Sequence, residues 1–108
     1  MKTSDGGMPP TNPLTPLRVL VEYAIWFGMM QGDPEVITSC MEAYQASLDP
    51  LISTNPVLES LKKAAAIIVV LAEKKSLQKL GQGLATLLND TRRIEVKIGK
   101  ACGLEYPI

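Results

Sequence analysis

The chain is predicted to be all-α: a small four-helix bundle with a long C-terminal helical hairpin, preceded by a flexible Pro/Gly N-terminal tail. Three observations carry that prediction. First, at Thr15-Pro16, Asp33-Pro34 and Asn55-Pro56 a helix-capping residue stands directly before a proline. The cap side chain accepts a hydrogen bond from a free backbone N–H, and proline has no N–H to orphan in the first turn. Second, apolar residues recur at three- and four-residue steps, and no segment alternates with the period of a strand. Third, 46% of the 108 residues are apolar and the mean hydropathy is +0.13. Such a chain is too apolar for disorder, and at this length one domain can bury roughly 65% of its unfolded surface.

The elements follow in order. Residues 1–15 are rich in Gly, Pro and small polar side chains, which bury too little surface to order themselves. They are expected to form the tail, with a helical domain over 16–103 and a short C-terminal tail over 104–108. Helix one is expected from Pro16 to about Gln31, ending at Gly32, a residue suited to the left-handed position beyond a helix. Helix two should run from Pro34 to about Ser47, with an apolar stripe of Val36, Ile37, Cys40, Met41, Tyr44 and Leu48. Asp49-Pro50 is expected to start only a short turn. Helix three should span Pro56 to about Lys75. Ile67 to Val70 resemble a strand by propensity, but flanking Leu58, Leu61, Ala64, Ala65 and Ala66 favour helix. Helix four should span Leu77 to Ala101. No segment reaches the roughly 20 apolar residues of a membrane span.

Composition excludes several functions. The chain has no His and two Cys, and its 11 basic residues balance 11 acidic ones. Without imidazole there is no Ser-His-Asp or Cys-His site, nor a usual Cys/His zinc site, so no metal or cofactor is expected. A pI of about 6.2 argues against a globally basic nucleic-acid binder. Residues 1–13 contain no secretory-type hydrophobic stretch; a cytoplasmic protein with two reduced thiols is expected. Glu35 and Glu42 lie opposite the stripe of helix two and should be solvated, unlike a working carboxylate pair. Cys40 should be a buried, inert thiol. Cys102 stands near a helix end with no base beside it. An enzyme built on these groups is the least favoured reading.

Three features could carry function. In helix four, Leu77, Leu80, Leu84, Leu87, Thr91, Ile94, Ile98 and Ala101 are spaced 3-4-3-4-3-4-3, a heptad seam that must pack on another helix. Helix three offers a matching seam of Leu58, Leu61, Ala65, Ile68 and Ala72. An internal hairpin is expected, with self-association as the alternative. Gly81 and Gly83 would permit close approach of another helix; as a phosphate loop, Gly81-Gln82-Gly83 lacks the preceding strand and the longer fingerprint.

Helix one is apolar all round: Leu17, Leu20, Ala24 and Phe27 on one side, Val19, Tyr23, Trp26 and Met30 on another, with Val21, Ile25 and Met29 between. Such a helix demands burial all round, more than three neighbours supply. Leu20, Tyr23, Trp26, Phe27, Met29 and Met30 are therefore the expected protein interface, since aromatic residues and Met favour interface cores. A central helix wrapped by the other three is the alternative.

Charge is divided. Residues 1–60 carry two basic and seven acidic side chains, and residues 61–108 carry nine basic and four acidic. The halves are expected to neutralise one another. Arg92, Arg93, Lys97 and Lys100 form a basic face that could contact phosphates, but nothing accompanies it for base reading. The function expected is a non-enzymatic protein–protein interaction module, an adaptor, chaperone or inhibitor-type regulator, working as a homodimer and on an unidentified protein partner. A small nucleic-acid-binding regulator using the basic face is the alternative.

Overall fold

The computed structural model describes residues 12–101, and among these residues every regular element is helical. Helix α1 (Thr15–Tyr23) continues into a π-helical turn, Ala24–Met29. Helix α2 is Pro34–Ile52. A 3₁₀ turn at Pro56–Leu58 leads into α3 (Glu59–Glu73), and α4 is Leu77–Ala101. Helix α1 packs on α2, α2 on α3, α3 on α4, and α4 returns to α1. Their inward faces share one apolar core.

Packing starts earlier than composition predicts. Asn12 and Leu14, placed in the tail by their Pro/Gly-rich surroundings, are buried; residues 1–11 and 102–108, Cys102 among them, lie outside the described residues. Thr15 does not cap helix α1: the cap position is Leu14, without a side-chain bond, and a turn at Asn12 leads into it. Asn12 Oδ1 accepts from the Leu14 N–H at 2.9 Å, its carbonyl accepts from the Thr15 N–H at 3.1 Å, and its Nδ2 donates to the Glu95 carbonyl at 2.7 Å. The Thr15 hydroxyl is spent elsewhere, as described below. At α2 the predicted cap holds: the Asp33 carboxylate accepts from the Glu35 N–H at 3.2 Å.

Helix α1 does not stay α-helical to its end. The Met30 N–H bonds to the Ile25 carbonyl at 2.9 Å, and the Asp33 N–H to the Gly28 carbonyl at 2.7 Å. The first, inside the turn, is π winding; the second, with the Gly32 N–H to the Met29 carbonyl at 3.3 Å, is a Schellman ending. Position 28 needs glycine. A Cβ there would collide with Ile37 Cγ1 of α2 and sit 3.3 Å from the Asp33 carbonyl. Gly32 follows with φ +69°, the left-handed stop expected of it.

Helix α2 outruns its predicted end at Ser47. Pro50 lies inside its last turns, where it starts no new turn. Proline removes one helix hydrogen bond there, but the carbonyls beyond it are satisfied. Ser53 Oγ donates to Pro50 at 3.3 Å, and Thr54 Oγ1 and the Asn55 N–H donate to Leu51 at 3.1 and 3.0 Å. Helix α3 closes on Lys75 with φ 56°. Its N–H bonds to Ala72 and that of Ser76 to Leu71, each at 3.1 Å, a Schellman ending with lysine where glycine is usual.

The stripe of α2 is buried as predicted at Ile37, Cys40, Met41, Tyr44 and Leu48, with Val36 half-buried. The helix-three seam is buried at every position from Leu58 to Ala72. Helix α4 departs from its heptad. Leu77 is exposed, Leu80, Leu84, Leu87 and Thr91 are buried, and the buried line then runs through Glu95 and Gly99 instead of Ile94 and Ile98, which are half-buried. A straight helix turns every 3.6 residues, so a strict 3.5-residue seam drifts off the contact line.

Candidate interaction surface

The turns from α1 to Met30 divide into two faces. Leu17, Val21, Ala24 and Gly28 are buried against the core. On the outer side Val19 is 48% exposed, Tyr23 50%, Trp26 62%, Phe27 49% and Met30 67%. The Tyr23 and Phe27 rings touch, their centroids 4.5 Å apart and their planes tilted by 32°. Phe27 follows Tyr23 by four residues, the spacing that stacks side chains on one helix face.

The predicted interface residues therefore separate. Tyr23, Trp26, Phe27 and Met30 form the exposed face, and Val19 joins them. Leu20 and Met29 are half-buried and packed on the core. Met29 supports the face from beneath: its Cε lies 3.4 Å from where a Cβ on Gly81 of α4 would stand. Gly83, two residues on, faces Ile68 and Leu71 of α3. Both glycines thus serve helix contacts inside α4. Helix one is not a wrapped central helix, since one whole side of it faces solvent.

Beneath the N-terminal end of this face lies a buried polar cluster with no signal in composition. Glu95 is 4% exposed. Its Oε1 accepts from Arg18 Nε at 2.7 Å and its Oε2 from the Thr15 hydroxyl at 2.7 Å. Arg18 Nη1 also binds Glu22 at 2.8 Å. Burial pulls the Arg18 pKa down, but the hydrogen bond and charge of Glu95, then of Glu22, outweigh it and hold the guanidinium above its ordinary value. One turn away, the Thr91 hydroxyl donates to the Leu87 carbonyl at 2.6 Å. Its single proton is thereby used, so the Tyr44 hydroxyl, 2.7 Å away, donates to Thr91. Burial pushes the Tyr44 pKa up to about 12. The available signal was spacing alone: Thr91 and Glu95 are four apart on one helix face.

The remaining candidates are ordinary. Arg92, Arg93, Lys97 and Lys100 are exposed on α4, and Arg93 is bound to Asp90 at 2.7 Å. Glu35 and Glu42 are exposed. Cys40 is buried and free, and burial pushes its thiol pKa up, which disfavours the reactive thiolate. Lys62–Asp49 at 2.6 Å pairs the basic half with the acidic one, while Arg18–Glu95 joins the halves with the signs reversed. Among the described residues no group of three Cys, Asp or Glu could hold a metal ion, and no helix is long and apolar enough to cross a membrane. No protein family, curated protein or solved structure matches the chain.

Proposed function

We propose that the chain is a non-enzymatic protein–protein interaction module of adaptor, chaperone or inhibitor type. In this reading it is built as a small four-helix bundle, and the aromatic face of α1 and the π turn is its working surface. One observation carries the reading: Val19, Tyr23, Trp26, Phe27 and Met30 stand half to two-thirds exposed on adjacent turns. Contiguous apolar patches on that scale mark interaction sites. Trp and Tyr are common binding hot spots, and the unbranched Met side chain adapts to what it meets. The exposed carboxylates of α2 and the buried thiol of Cys40 lend no support to catalysis.

The test compares wild-type and Trp26→Ala/Phe27→Ala baits of matched helicity. The double variant should weaken association with a captured partner by about 1–4 kcal/mol. The same partners at the same affinity on both baits would remove the face from the account.

A further inference from the structure

We infer that the occupant of the aromatic face is a second copy of this chain, packed face to face across a two-fold axis. This rests on the reading of that face as the working surface, and three observations select the second copy.

The first is area. At roughly 150–250 Å² for each large side chain, the exposed fractions of the five residues leave roughly 500 Å² of apolar and aromatic surface. A standard interface buries about 800 Å² on each partner, and homodimer interfaces are about 65% apolar. The apolar share required is thus roughly 500 Å² per copy, the amount this face supplies.

The second is charge. A two-fold contact sets a patch against itself, so any net charge on it repels its own copy. The five side chains of the face carry no charge, and the adjoining Glu22 is held by Arg18 at 2.8 Å, a guanidinium it shares with buried Glu95. An uncharged patch can be set against its own copy and gives an acidic or basic partner no charge to grip.

The third is Leu77, which is 57% exposed. It lies one turn before Gly81 on the same side of α4, and Gly81 faces Met29. Leu77 is thus a further exposed apolar side chain on the helix that packs against Met29.

Light scattering coupled to sizing, on the full chain, tests the inference. Wild type should show twice the 11.7 kDa chain mass. Trp26→Glu and Met30→Glu should each weaken the dimer at least about 30-fold in Kd, the scale of a hot spot. Both positions are exposed, so helicity by circular dichroism should be unchanged. Trp26 emission should shift to the blue as wild type is concentrated.

A wild type that stays monomeric to the order of 100 µM overturns the inference. If that monomer still holds a partner through Trp26, the interaction-module reading stands without it; if it holds none, both fall. A dimer that persists in both variants also overturns the inference, because the contact then lies elsewhere.

Discussion

Tyr44 shows how burial of one phenol becomes a pH response. Tyr44 is fully buried, and its folded pKa of about 12 stands above the ordinary value of 10. Its contribution is complete below pH 10. It is lost as pH rises from 10 to 12, because the unfolded chain releases the phenolic proton first. The full loss is about 3 kcal/mol. Urea unfolding between pH 9 and 12 should show that fall in wild type and a shallower one in Tyr44→Phe; parallel curves would mean that Tyr44 does not set the slope. The two ends of the Tyr44–Thr91 bond are unequal. Tyr44→Phe leaves Thr91 donating to Leu87, whereas Thr91→Val strands the phenolic proton in the core. Thr91→Val should therefore be the costlier change at neutral pH, at about 1–3 kcal/mol.

At the scale of elements, two glycines on neighbouring segments have opposite consequences. Gly28 of the π turn lies against Ile37 and the Asp33 carbonyl, so Gly28→Ala must displace α2 and should cost about 1–3 kcal/mol. Gly81 of α4 has only the flexible end of Met29 opposite, at ordinary contact distance. There alanine's helix preference should prevail, and Gly81→Ala should gain about 0.5–1 kcal/mol. Thermal unfolding of the two variants in opposite directions would bear this out; a stabilised Gly28→Ala would show that the π turn can rewind without loss. These elements also mark how much was legible in advance. The α2 stripe and the helix-three seam were plain, because each keeps one period throughout. The π turn was not, because no spacing in Ala24 to Met29 marks the wider winding, and the need for glycine at 28 shows only once Ile37 is beside it. The lower half of α4 was misread because Glu95 stands among Arg92, Arg93 and Lys97 in sequence, while its partner Arg18 is 77 residues away. The aromatic residues of the face were visible, yet which of them would stay in solvent depended on where α2 and α4 pack against the helix.

For the whole molecule, Glu95 does what no apolar residue in the core can. It ties the first half of the chain to the second and holds α1 against α4 at a fixed register. An apolar contact tolerates sliding, whereas a buried carboxylate with two named donors does not. Glu95→Ala should cost about 2–3 kcal/mol, less than for a fully enclosed pair, because Arg18 keeps Glu22 and some solvent. Chemical denaturation is the measure, and a loss below about 0.5 kcal/mol, typical of a surface pair, would make the cluster incidental.

The depth of Cys40 gives the fold a built-in clock. Its sulfur sits on the inner stripe of α2, so a disulfide reagent in solvent can reach it only when that helix parts from its neighbours. With Cys102 replaced by Ser, the rate of labelling reports how often the closed molecule breathes. Where reclosing is faster than the chemistry, it also gives the free energy of that opening under fully native conditions.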